Sequence, residues 1–260
     1  MKAYAPVYHI LVLAGLGACN GDGGKDTTDD TDTGATATTA VEAVCTEPTE
    51  LTCVDEIISD LSLHDDLVAD SAEVSDRVAG DDFVTTIDAT AGGFGNETAN
   101  PWVYVKFTPE GAQRVDIDDE TALDSMEWHL AARRFVLRLN GGSSGPSCVG
   151  AAAFIEQSYE DLTEVPDDVN YVYDDFYSGD CTLINDASGL DGSPQVALGP
   201  WWDYPGCVET TDVPFLVQLE DGHVIKLRVE QYYTEQDSCN NDGFPSGTSG
   251  MFKIRWTFLR

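Results

Sequence analysis

The side chains best equipped for chemistry are few in kind. They are four histidines, seven cysteines and a cluster of three arginines, Arg133, Arg134 and Arg138, in a chain of 260 residues with only 13 Lys and Arg against 47 Asp and Glu. A catalytic use for them requires a partner pattern, and none is present. There is no G-x-S-x-G nucleophile turn, no H-E-x-x-H helix and no G-x-x-x-x-G-K phosphate loop. His64 stands beside Asp65 and Asp66, as a surface residue would. His129 lies inside an apolar strand pattern, where a satisfied structural imidazole is expected, and His223 follows a turn and is expected to be exposed. Acid pairs for glycoside hydrolysis cannot be singled out where residues 45–260 alone hold 41 acids. The chain is expected not to be an enzyme.

The arginines leave two readings open. Either they neutralise neighbouring carboxylates, or they recognise an anionic group such as a propionate through charge-assisted hydrogen bonds. The formal net charge of −34 decides a related point. Binding a phosphate backbone depends on Lys and Arg displacing condensed counterions, so nucleic acid is excluded as a partner. Adsorption to anionic lipid through a basic patch is disfavoured by the same field.

The cysteines divide by position. Residues 1–18 carry Lys2, an apolar run from Ile10 to Leu16 and the small residues Gly17 and Ala18, which together read as a signal peptide too short to span a bilayer. Leu16-Gly17-Ala18-Cys19 resembles the lipobox of bacterial lipoproteins, in which the cysteine is acylated and becomes the new amino terminus. That resemblance implies lipidation of Cys19, with palmitate-like chains anchoring an exported protein to the bilayer of an outer membrane or cell surface. Residues 19–44 continue as a Gly-, Asp- and Thr-rich linker whose charges repel and extend it. Six cysteines remain: Cys45, Cys53, Cys148, Cys181, Cys207 and Cys239. In an oxidising compartment an even set reads as up to three disulfides, with fifteen possible connectivities. Cys45 with Cys53 is the natural local pair, and Cys148 with Cys181 and Cys207 with Cys239 complete the expected set. No C-x₂-C spacing supports zinc, and no metal ligand set is identified.

With 42% hydrophobic residues the chain has ample material for a core, and the elements that would position these groups read as strands. Val213, Phe215, Val217 and Leu219 alternate up to an Asp221-Gly222 turn. Ile225, Leu227 and Val229 return, with Lys226, Arg228 and Glu230 facing outward. Phe252, Ile254, Trp256 and Phe258 form a third half-buried strand. Further strands are expected at Phe83–Ala89, Trp102–Phe107, Gln113–Ile117, Glu127–Leu139 and Ala152–Gln157. Short helices are expected at Val54–Leu63 and Thr121–Met126. The fold class is therefore all-β, a single domain over residues 45–260 with antiparallel sheets, long irregular loops and one or two short helices. The loops between Gly141 and Asp212 carry Tyr171, Tyr173, Tyr177, Trp201, Trp202 and Tyr204, which are candidate ligand contacts or simply loop-burying aromatics.

Trp102-Val103-Tyr104-Val105-Lys106-Phe107, Glu127-Trp128-His129-Leu130-Ala131-Ala132-Arg133-Arg134 and Asn140-Gly141-Gly142-Ser143-Ser144-Gly145 resemble blocks of the HmuY-type lipoproteins. Gly199-Pro200-Trp201-Trp202-Asp203-Tyr204, the Val213–Lys226 hairpin, Tyr232-Tyr233 and Gly247-Thr248-Ser249-Gly250 agree in order. The resemblance implies an all-β, lipid-anchored domain that captures haem and passes it to a TonB-dependent outer-membrane receptor. It also implies two axial His or Met ligands from the irregular region. Residues 141–212 contain neither His nor Met, so no ligand is carried over. The second reading is a disulfide-stapled adhesion or complex-assembly module of the cell surface that binds no haem.

Overall fold

The computed structural model describes residues 41–69, 73–93, 95–186, 188, 190, 193–235 and 247–259. The signal segment, Cys19, the linker up to residue 40 and Cys239 lie outside them.

Three hairpins come first: β1 (Val74–Ala79) with β2 (Asp82–Asp88), β3 (Val103–Thr108) with β4 (Gly111–Val115), and β5 (Leu130–Arg133) with β6 (Val136–Leu139). β7 (Gly150–Ala153), the short pair β8 (Trp202–Asp203) and β9 (Glu209–Thr210), and then β10 (Phe215–Gln218), β11 (Val224–Tyr233) and β12 (Ser249–Leu259) follow. Every named pairing is antiparallel. The larger sheet runs β1-β2-β12-β11-β10-β7 and the smaller β4-β3-β5-β6. The helices are α1 (Val54–Asp60) and α2 (Asp119–Ala122).

The alternating apolar residues of the terminal strands face the smaller sheet. Phe215, Val217, Ile225, Leu227, Phe252, Ile254 and Trp256 pack in one core with Val103, Val105, Phe107, Leu130, Leu137 and Leu139. Each fully buried large side chain there contributes roughly 1.5–3 kcal/mol. A second core lies on the other face of the smaller sheet. There Tyr104, Trp128 and Ala131 meet Ile57 of α1 and Ala122 of α2, and Phe176 and Tyr177 join them.

Three expectations change. Glu127–Leu139 is a hairpin rather than one strand: Arg134 takes a left-handed backbone (φ 54°) between β5 and β6, with none of the Gly, Asn or Asp that usually marks such a turn. The outward parity of the terminal strands also fails at Lys226, which is buried. Residues from Phe154 to Tyr171 cover that face, packing Leu162 on Leu216 and Val224. Lys226 Nζ donates to the Tyr159 carbonyl (3.0 Å) and stands 4.1 Å from the centroid of its ring.

The cysteine pairing is the third change. Cys45 bonds Cys148 and Cys53 bonds Cys181, so neither Cys45–Cys53 nor Cys148–Cys181 forms. The local pair is ruled out because Cys53 opens α1, which packs against the segment carrying Cys181, whereas Cys45 runs beside the loop after β6. Cys207 is also disulfide-bonded. The expected Cys239 partner lies outside the described residues.

Candidate functional site

The β5–β6 turn projects Arg134 and Phe135 over the end of the core, where they meet the loops around Pro194 and Tyr204 and the start of β12. Together they line a cleft of about 640 Å³, within the usual range for a small-molecule site. Trp102, Phe135, Val136, Pro194 and Val208 supply its apolar walls, Tyr204, Tyr232 and Tyr233 its phenols, and Arg133 and Arg134 its cations.

Backbone carbonyls hold much of both guanidiniums. Arg133 donates from Nη1 to the carbonyls of Ser62 (3.1 Å) and Asn100 (3.3 Å), and from Nη2 to that of Leu61. Its guanidinium stands 4.6 Å from the centroid of the Trp102 ring. Arg134 donates to the carbonyls of Thr90 (3.1 Å) and Ser249 (3.0 Å) and to the Ser249 hydroxyl (2.6 Å). Among the described residues no carboxylate pairs with Arg134. A cationic wall therefore survives inside an otherwise strongly acidic chain.

Arg138 does not share that wall, which corrects the idea of one cationic strip. It is fully buried behind Trp102, with its guanidinium 4.1 Å from that ring's centroid and 5.8 Å from the Trp128 ring. Its Nη2 donates to the Tyr104 hydroxyl (3.0 Å), which donates in turn to Asp119 (3.1 Å). Strand alternation explains the split, since Arg138 projects from β6 into the second core while Arg134 belongs to the turn.

The loop aromatics divide likewise. Trp201 is a core residue, its indole donating to the Phe135 carbonyl (3.2 Å). Tyr177 is buried against α1 with its hydroxyl on Asp60 (3.0 Å), and Tyr171 packs in the cluster under residues 154–171. None of these three lines the cleft. Tyr204 does, at 46% exposure. Trp202 and Tyr173 line a separate groove with it.

The histidines follow the structural reading. His129 is buried: Nδ1 accepts from the Phe107 amide (3.0 Å) and Nε2 lies 3.0 Å from Glu220. Both ring nitrogens are engaged. His223 is exposed and pairs with Asp221 (3.0 Å). Among the described residues the one cluster with metal-ligand types is Cys53, Glu56 and Cys181, and its two sulfurs are joined in a disulfide.

The Asn140–Gly145 block is a structural clasp. Asn140 Nδ2 donates to the carbonyls of Ser125 (2.9 Å) and Trp128 (2.8 Å), and its Oδ1 accepts from the Ser147 amide (3.1 Å). A Cβ at Gly142 (φ 65°) would fall 2.2 Å from the Asp174 carbonyl, and one at Gly145 would fall 2.2 Å from Asn140 Oδ1. The clasp closes over Asp174, a fully buried carboxylate that accepts from the amides of Leu139 (3.0 Å) and Ala197 (2.7 Å). Burial pushes its pKa up to about 7.

A family model described as HmuY protein matches residues 98–256. Among solved structures the chain is similar to one described as an HmuY-like haem-binding protein from Bacteroides vulgatus, with 18% identity, a TM-score of 0.41, and coverage of 68% of this chain and 91% of that one. An apo HmuY analogue from Tannerella forsythia gives 19% identity and a TM-score of 0.41, covering 72% and 97%. A lipoprotein from Bacteroides fragilis gives 17% and 0.38, covering 69% and 90%. No curated protein matches the chain.

Proposed function

The chain belongs to the HmuY protein family, and from that premise we propose that it is an exported, lipid-anchored protein that captures haem in the cleft bounded by Trp102, Phe135, Arg134 and Tyr204. The observation that carries this reading is the combination of apolar and aromatic walls with the Arg134 guanidinium, which no carboxylate among the described residues contacts. Apolar walls suit a porphyrin, and Arg134 suits one of its carboxylates.

The iron is served differently from the family's His or Met pairs. Neither residue lines the cleft. Haem iron accepts phenolate as well as imidazole, thioether and thiolate donors. Tyr204, the exposed phenol of the lining, would be the donor, since Tyr232 and Tyr233 are both buried. Arg134 would hold a propionate, and the Trp102 and Phe135 walls would exclude water from the ring.

Anchoring follows from Cys19, whose two or three acyl chains give stable attachment at about 0.8 kcal/mol per buried CH₂. Delivery to a TonB-dependent receptor is the partner role proposed with it. Haemin titration of the purified protein is expected to give a saturable Soret shift, and a flat titration at micromolar protein would refute haem capture. Cys19→Ser is expected to release the protein from membranes, and unchanged fractionation would refute anchoring.

A further inference from the structure

A second groove of about 510 Å³ shares Tyr204 with the haem cleft and is lined by Tyr173, Trp202, Tyr204, Asp186, Asp203 and Gln195 among others. The geometry points to this groove as an aromatic corner for an organic cation of the quaternary-ammonium class, such as the head of a choline-like ligand. It is a binding site distinct from the haem cleft.

Three observations carry the assignment. The first is the ring arrangement. The Trp202 and Tyr204 rings stand at 85° to each other with centroids 6.4 Å apart. Ring faces attract cations out to about 6 Å from their centroids, so a cation seated beside the pair lies within reach of both rings. Phe135 (5.1 Å) and Trp201 (6.3 Å) pack against Trp202 and fix its position. The corner is thus built on the core rather than on a free side chain.

The second is availability. Tyr173 and Tyr204 are 41% and 46% exposed, and Trp202 is half-buried, so three aromatic residues meet solvent in one concavity. The aromatics that only bury loops, such as Trp201 and Tyr177, are covered by comparison.

The third is charge. Among the described residues the ionisable side chains of the lining, phenols aside, are the carboxylates of Asp186 and Asp203, with no Lys, Arg or His. Each carboxylate is oriented by a local backbone amide: Asp186 accepts from Ser188 (2.9 Å) and Asp203 from Tyr204 (2.7 Å). An anion is repelled here, and a neutral ligand can donate hydrogen bonds to the two acids but gains nothing from their charge. A cation too bulky to be strongly hydrated uses both the rings and the acids. The net charge of −34 adds long-range attraction for it. The haem cleft carries Arg133 and Arg134 beside one carboxylate, Asp60, and so favours anions more than this groove does.

The test uses the full chain and a matched pair of probes. Choline and its uncharged isostere 3,3-dimethyl-1-butanol are titrated while tryptophan fluorescence and calorimetric heat are followed. Choline is expected to saturate, with the isostere weaker by about tenfold or more, because only the cation draws on the ring faces. Trp202→Ala is expected to abolish the choline signal. Should that variant fail to fold, Tyr173→Ala and the Asp186→Asn/Asp203→Asn pair are each expected to weaken choline several-fold when compared at matched thermal stability. Equal affinity for choline and the isostere would overturn the proposal, as would saturation by a neutral saccharide in place of choline, or no saturation by either probe. Haemin binding is measured in the same samples. Because Tyr204 lines both sites, choline is titrated in haemin-free protein, so failure of one site is distinguishable from failure of the other.

Discussion

The guanidinium of Arg138 stands 4.1 Å from the ring centroid of Trp102, wholly buried, with a single hydrogen bond from Nη2 to Tyr104, while its Nε and Nη1 find no acceptor. Among the described residues no carboxylate lies within ion-pair distance of it, yet the buried carboxylates Asp119 and Asp174 both feel its charge, Asp119 through the Tyr104 hydroxyl. Ring faces and these carboxylates hold the cation together. Removing one partner of a buried charge arrangement leaves the other uncompensated, whereas lysine keeps the charge and loses the planar group. Arg138→Met is therefore expected to cost about 3–5 kcal/mol in urea unfolding, with Arg138→Lys the more stable of the two. The reverse order would show that stacking, not charge, holds this position.

Asp174 gives the fold a pH dependence of unusual sign. Its folded-state pKa is raised from 3.8 to about 7 by burial, so the folded protein holds the proton more tightly than the unfolded chain. The stabilisation it contributes is complete below pH 4 and is lost as pH rises through 7, a swing of roughly 3–4 kcal/mol. Asp174→Asn removes this swing, and its amide sets an N–H against the amide of Leu139 or Ala197, at a cost of about 1–3 kcal/mol. Unfolding free energies of both proteins from pH 4 to 8 are expected to converge as pH rises. Parallel curves would place the pH dependence elsewhere.

The disulfides are checked by mass. Non-reducing digestion is expected to release cross-linked peptides joining Cys45 to Cys148 and Cys53 to Cys181. A linked Cys45–Cys53 peptide would contradict the fold. Each bond closes a loop of more than a hundred residues. Replacing the Cys53–Cys181 pair by alanines is accordingly expected to cost about 2–5 kcal/mol and to loosen α1 from the second core.

The terminal sheet could be read from the chain because Phe215 to Trp256 alternate with period two and Asp221-Gly222 marks the turn, and these are local signals. What could not be read was set by distant partners. β1 is an edge strand, its central residues exposed, so it carries no apolar alternation. The Arg134-Phe135 turn lacks turn residues because Arg134 is locked in its left-handed backbone by Thr90 and Ser249, the latter 115 positions away. That turn builds the cleft, so missing it hid Trp102 and Phe135 as lining residues. The aromatic loops were visible as candidates. Their sorting into core, cleft and groove depends on packing that no spacing encodes.

The cleft predicts a separation of roles between Tyr204 and Arg134. A phenol must lose its proton to bind iron, so haemin affinity is expected to rise with pH, and the rise should vanish in Tyr204→Phe together with a change in the absorption spectrum. Arg134 acts on a carboxylate away from the metal. Arg134→Gln is expected to weaken haemin by about tenfold, the scale of one charge-assisted bond, with an unchanged spectrum and pH profile but a reduced salt dependence. Because Arg134 also holds the Thr90 and Ser249 carbonyls, its variant is compared at matched thermal stability. Haemin optical titrations across pH and salt read all three quantities. A Tyr204→Phe protein that keeps the parent spectrum would remove Tyr204 as the iron donor and leave the cleft only its apolar and cationic walls.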